Sequence, residues 1–246
     1  MQSNDAAKVL PDASSSLNKK AQVADMFNDI AGKYDFLNHF LSLGIDKGWR
    51  KKAIKEVAAI VPQRILDVAT GTGDLAIAAV ETKPKEIIGV DIADQMLEVG
   101  RKKIKEKNLE QIISLRNGDS EALPFDNSSF DAVTCAYGAR NFENLETGLK
   151  EMNRVLRTGG KVVILEFSHP KQFPVKQLYQ FYFRFILPAL GKIVSKHSSA
   201  YTYLPESVRA FPEGKRFCEI LKDCGFKEAK ARPLTFGITT LYTAYK

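Results

Sequence analysis

"LDVATGTGDLA", residues 66–76, is an apolar run that breaks into two closely spaced glycines and then turns polar again. A short run of this kind reads as a strand buried on both faces, and the glycines as the first strand-to-helix turn of an α/β sheet. In open sheets of that class ligands bind beyond the carboxyl ends of the strands. Gly71 and Gly73 carry no β-carbon, so the chain can turn tightly there and a ligand can lie directly on the main chain.

Outward from this turn the pattern repeats. "RILDVA", "EIIGVDI", "IISLRN", "FDAVTCAY" and "KVVILEF" read as strands, and "GDLAIAAVETK", "DQMLEVGRKKIKEKN" and "ENLETGLKEMNRVLR" as helices whose apolar residues recur at three and four. That alternation predicts βαβ units and a parallel sheet. The aromatic, basic segment "PKQFPVKQLYQFYFRFILPALGKIVSK" breaks the rhythm with three prolines and reads as an insertion. Pattern then returns, with "SVRAFPEGKRFCEILKDCGF" as a helix closing at Gly225 and "EAKARPLTFGITTLYTAYK" as two β segments turning around Phe236 and Gly237. Ahead of the core, "VADMFNDIAGKYDFLNHFLSLGIDKGWRKKAIKEVAAI" is helical in composition and carries a polar aromatic cluster of Tyr34, Asp35, Asn38 and His39, which suits a lid. The expected organisation is a disordered tail over 1–20 and one domain over 21–246, with a helical lid at 21–60 and a substrate-binding insertion at 170–210.

The 246 residues, 44% of them hydrophobic, suffice for a substantial core. No apolar run reaches the length of a membrane span, and the N-terminus lacks the apolar segment of a signal peptide. Cys135, Cys218 and Cys224 have no metal-type spacing and read as reduced thiols in a cytoplasmic protein; no metal site is expected. The net charge of +7 is spread over helices that also carry glutamates, as in "KKAIK" and "RKKIKEK", which marks solvated faces rather than a nucleic-acid surface.

A glycine-rich first turn also serves dinucleotides, and here Ala76 holds the third glycine position. Asp67 and Asp74 flank the turn, which suits two phosphates poorly and a cationic ligand well. Asp91, twenty residues past Gly71 at the end of the second strand, can accept both ribose hydroxyls, with helix capping as its structural alternative. Asp119 follows the third strand in "RNGDSEALPF", where it can meet an adenine amino group. Asp67, Asp91 and Asp119 at successive strand ends describe a pocket for S-adenosylmethionine. Asp131, at the start of the fourth strand, reads as a structural partner.

From about Ala24 onward the chain resembles the C-methyltransferases of menaquinone and ubiquinone biosynthesis. The resemblance rests on "MFNDIAGKYDFLNHFLSLGIDKGWRK", "LDVATGTGD", "GDSEALPFDNSSFDAVTCAYGARNF", "EMNRVLRTGGKVVILEFS", "AYTYLPESVRAFP" and "LTFGITTLYTAYK", in the family's order. It implies a Rossmann-like class I methyltransferase fold: a mostly parallel seven-stranded sheet with helices on both faces and one antiparallel strand from the C-terminal hairpin. It also implies transfer of a methyl group from S-adenosylmethionine, leaving S-adenosylhomocysteine, to a ring carbon of a polyprenylated quinol. Thr72, Asp91, Asp119 and Ser120 match the family's cofactor contacts. Tyr137 and Ala139 stand where the family usually has phenylalanine and leucine, and Thr158 where proline is common.

A ring carbon becomes nucleophilic when a neighbouring hydroxyl loses its proton, so a base or a cation is expected near the ring. Arg140 in "YGARNF" is the candidate for stabilising the oxyanion, with Asn141 orienting it; a structural salt bridge is the alternative for Arg140. Tyr34 and Asp35 could close from the lid, Asp35 relaying a proton or capping a helix, and His169 is a second candidate base. In the insertion, large apolar side chains flanked by Lys171, Lys176, Lys192 and Lys196 suit an isoprenoid tail and the anionic inner face of a cytoplasmic membrane, or else an amphipathic helix packed on the core. The expected partners are the quinol and, peripherally, that membrane, with no nucleic acid and a homodimer left open. A different small lipophilic acceptor is the rival function.

Overall fold

In the computed structural model, which describes residues 9–42, 44–182, 185 and 199–246, the side chains of 37–41 and 199–201 lie outside the description. The five apolar runs become β1 (Arg64–Val68), β2 (Glu86–Asp91), β3 (Ile113–Asn117), β4 (Phe130–Ala136) and β5 (Leu156–Phe167), and the C-terminal segments become β6 (Lys227–Leu234) and β7 (Thr239–Tyr245). They form one sheet in the order β3-β2-β1-β4-β5-β7-β6, parallel from β3 to β5, with β7 antiparallel to both of its neighbours. The strand order reverses between β1 and β4, and the cleft that opens outside their carboxyl ends is where such sheets bind ligands.

Helices α1 (Lys19–Leu41) and α2 (Ile45–Ala58) precede the sheet. Then come α3 (Asp74–Ala79), α4 (Asp94–Glu106), α5 (Leu145–Val155), α6 (Val175–Phe181), α7 (Ser199–Ala210) and α8 (Lys215–Asp223). Consecutive strand residues point to opposite faces, so Leu66 and Ile88 pack under α5 and α8 while Ile65 and Ile87 pack under α2, α3 and α4. Asn144 caps α5 by accepting from Thr147 N (3.0 Å), and the helix buries Leu145, Leu149, Met152 and Val155. No helix of the described residues is long and apolar enough to cross a membrane.

Three expectations shift. The tail expected over 1–20 makes defined contacts from residue 9: Val9 lies against Val23, Met26 and Tyr203, Gln22 Oε1 accepts from Asp12 N, and Asn18 Oδ1 accepts from Ala21 N at the start of α1, two residues earlier than the expected lid. Apart from Val9, these anchors are polar side chains accepting from the main chain, which composition reads as solvated. The helix expected over "SVRAFPEGKRFCEILKDCGF" is two: α7 ends at Ala210, just ahead of Pro212, whose ring disfavours helical backbone at the residue before it, and Gly214 adopts φ 61°, ψ −125° before α8. Strand β5 starts at Leu156 instead of Lys161, pairing with Phe130 before the glycines bend it. Gly225 ends α8 at φ 93°, as expected, and the hairpin turns at Thr235–Gly237. Lys192 and Lys196 lie outside the described residues.

Candidate active site

At the end of β1 the buried carboxylate of Asp67 accepts from Thr70 Oγ1 and Thr134 Oγ1, both at 2.6 Å, tying the glycine turn to β4. Burial pushes this carboxyl up to about 6, against the pull of the two hydroxyls. The turn then passes through positive φ at Ala69, Gly71 and Gly73. It presents Gly71 N to Asp91 Oδ2 (2.8 Å), while Ala93 N donates to Asp91 Oδ1 (2.9 Å). Burial raises the Asp91 carboxyl and the amides oppose the rise. An ionised carboxylate has about four acceptor sites, so Asp91 keeps acceptor capacity beyond these amides.

Beyond β3, Asp119 Oδ1 accepts from Glu121 N (2.8 Å), and Lys20 of α1 donates to Asp119 Oδ2 at 2.5 Å. Burial works against the Lys20 charge, but Asp119 and Glu121 outweigh it and raise the ammonium's pKa. Lys20, Asp91, Asp119 and Glu121 line one cleft. Gly71, Asp91, Asp119 and Ser120 supply its polar lining and Val90, Met96 and Phe142 its apolar walls, with Tyr34 and Asn141 in the same surround. A β-carbon at Gly138 would stand 2.4 Å from Ala69 Cβ, so at that point only glycine lets the two strand ends meet. Acidic groups along a partly apolar cleft fit the chemistry of S-adenosylmethionine, which offers ribose hydroxyls and an adenine amino group to acceptors and an apolar base to the walls.

Asp67, Thr72 and Gly73 do not line this cleft. Asp67 lies beneath the turn, where its lone pairs go to threonines. Thr72 is buried and donates to Asp35 Oδ1 (2.5 Å), and Lys103 of α4 reaches the same Asp35 (2.7 Å) and Asp74. Asp74 is also 3.2 Å from Arg50, so the acid that argued against phosphates has two cations beside it. Asp35 therefore joins α1 to the back of the glycine turn rather than facing the cleft.

On the β4 side, Tyr137 adopts φ 59°, strained for a bulky residue, and its ring packs on Phe167 at 4.5 Å. The guanidinium expected to face an oxyanion is instead in the structural pair weighed as its alternative. Arg140, 6% exposed, donates to Glu166 Oε1 (2.9 Å) and to the Tyr137 carbonyl, and does not line the cleft. Burial lowers its affinity for a proton, but Glu166 restores and exceeds that loss. Asn141, one residue on, does line the cleft, and its Oδ1 is buried with no hydrogen-bond partner among the described residues. His169 is held outside it by Glu213 Oε2, at 2.9 Å from the backbone N and 3.3 Å from Nδ1, and this contact draws the Glu213 carboxyl down to about 2. Asp131 accepts from Gln63 N, Arg64 N and Arg157, a structural role.

Sequence reasoning passed over Lys19, Lys20, Lys103 and Glu166. Glu166 left a signal, as the one acid inside the apolar strand "KVVILEF"; the lysines left none.

Comparison with known proteins adds independent findings. Residues 15–246 match the model of the ubiE/COQ5 methyltransferase family. A demethylmenaquinone methyltransferase of Bacteroides fragilis is 51% identical, covering 93% of this chain and 94% of its own length. A ubiquinone/menaquinone biosynthesis C-methyltransferase, UbiE, of Geotalea daltonii is 44% identical over 93% and 97%. Among solved structures, a SAM-dependent methyltransferase of Thermotoga maritima shares the fold at TM-score 0.62 and 19% identity, covering 90% of this chain and 98% of its own.

Proposed function

The chain belongs to the ubiE/COQ5 methyltransferase family and is an S-adenosylmethionine-dependent C-methyltransferase, and we propose that its acceptor is a ring carbon of a polyprenylated quinol: demethylmenaquinol, the corresponding benzoquinol, or both. On this reading Asp91 holds the ribose, Asp119 and Ser120 the adenine edge, and Gly71 the main-chain floor. The observation that carries the acceptor side is the buried, unpartnered Asn141 Oδ1 in the cleft wall, available to a ring hydroxyl. S-Adenosylmethionine supplies an electrophilic methyl group; the chain's part is to hold the ring carbon in line with it and exclude water. Arg140 acts here through the Ala139–Asn141 turn it anchors. Tyr34 closes the slot from α1.

The test measures S-adenosylmethionine binding by calorimetry for wild type and Asp91→Ala, with methyl transfer to demethylmenaquinol and to the demethylated benzoquinol. Loss of the charge-assisted bonds to two hydroxyls is expected to weaken binding by at least about 100-fold. A change of less than about threefold removes Asp91 from the ribose, and transfer to neither quinol removes the acceptor assignment.

Peripheral contact with the membrane that carries the quinol is favoured by the exposed apolar side chains around the insertion. Phe173 is 81% exposed and Phe236 69%, with Leu178 and Phe181 also exposed and Lys171 alongside. Co-flotation with anionic lipid vesicles at low salt is expected, weakening on Phe173→Ser; no flotation removes this contact.

A further inference from the structure

Two consecutive residues at the start of α1 point to different walls of the cleft. Lys20 goes to Asp119 Oδ2 (2.5 Å) and lies 3.7 Å from Glu121 Oε2, on the cofactor side. Lys19, 2% exposed, donates from Nζ to the main-chain carbonyl of Arg140 (3.2 Å), on the acceptor side. That carbonyl belongs to the short turn Ala139–Asn141, which carries the unpartnered Asn141 oxygen. Glu121 connects the two sides, since its Oε1 accepts from Glu143 N (2.9 Å) and Asn144 N (3.0 Å) just past the turn. The same residue of the turn is also held by Glu166, which accepts from Arg140 N (3.2 Å).

Burying an ammonium is costly, and packing alone is served as well by an apolar chain of the same length. Burial and the nearby Arg140 push the Lys19 ammonium down to about 8, so the site tolerates this charge at an energetic cost. What an apolar chain cannot do is fix the Arg140 carbonyl, and with it the azimuth of Asn141.

We propose that Lys19 is a positioning residue for methyl transfer: its hydrogen bond to the Arg140 carbonyl seats the Ala139–Asn141 turn when α1 lies over the cleft, so that enclosing the cofactor and aligning the acceptor are one event. This rests on the assignment of the cleft to S-adenosylmethionine and of Asn141 to the acceptor. Methyl transfer needs in-line geometry, and a displacement of about 1 Å costs about 100-fold in rate.

The test uses the full chain with Lys19→Met, which keeps length and loses the donor, and Lys19→Arg, which keeps charge and donors. Expected for Lys19→Met is a kcat lowered about 10- to 100-fold with demethylmenaquinol, while acceptor KM and S-adenosylmethionine Kd stay within about threefold. Lys19→Arg is expected to recover part of that kcat. A Lys19→Met kcat within about threefold of wild type overturns the proposal. So does a fall in cofactor affinity matching the fall in kcat, which makes Lys19 a prop for the helix. Absence of methyl transfer by the wild-type protein would instead sink the acceptor assignment on which the proposal rests, and binding of S-adenosylmethionine in the same sample separates that outcome from a misassigned cleft.

Discussion

On the β2 side of the cleft the lining acid is held by the main chain, and on the β5 side the lining turn is held by a buried ion pair. Asp91 takes its position from the amides of Gly71 and Ala93 and lines the cleft. Arg140 and Glu166 hydrogen-bond to one another, Glu166 also accepts from Arg140 N in the turn and from Phe167 N at the end of β5 (2.9 Å), and Arg140 donates to the Tyr137 carbonyl. The first wall thus rests on backbone hydrogen bonds to one acid and needs no second charged side chain. In the second, the residues that hold the lining turn are also part of the core, so a substitution there is expected to change stability as well as the shape of the cleft wall.

The sharpest way to break this contrast is Glu166→Gln, which leaves the guanidinium buried without a counter-charge. A loss of about 3–5 kcal/mol in unfolding free energy is expected from urea denaturation. The pair Arg140→Met with Glu166→Leu is expected to cost less than Glu166→Gln alone, because no uncompensated charge remains. If Glu166→Gln costs under about 1 kcal/mol, the β5 wall does not rest on the ion pair and the two walls are alike.

This contrast also explains what was legible in the sequence. The β1–β2 wall could be read because its signals are local: a glycine turn after an apolar run, and an acid twenty residues on at the next strand end, both fixed by the βαβ repeat. The β4–β5 wall depends on contacts between distant segments. Arg140 meets Glu166 across 26 positions, and Lys19 meets Arg140 across 121. No periodicity carries such a pairing. A buried arginine and an arginine facing a substrate look the same in "YGARNF", and only the acid inside β5 distinguishes them. The N-terminal lysines are harder still, since "LNKKAQ" has the composition of a solvated tail and acquires its role from the shape of the surface it lands on.

A smaller effect sharpens the comparison from beneath the first wall, where Asp67 is as buried as Glu166 but has hydroxyls for partners instead of a cation. Its carboxyl is raised from 3.8 to about 6, chiefly by burial. Between those values the folded chain keeps a proton there that the unfolded chain has released, so this residue's contribution to stability falls as pH rises from about 4 to about 6, by about 2–3 kcal/mol in all. Asp67→Asn removes the titration and keeps a side chain able to bond both threonines. Its unfolding free energy, relative to wild type, is therefore expected to improve steadily over that window and to level off above it, when followed by urea denaturation from pH 4 to 7.5. A difference that does not vary with pH would mean that Thr70 and Thr134 compensate the charge fully, and that hydroxyls under a glycine turn hold a buried carboxylate as well as an arginine does.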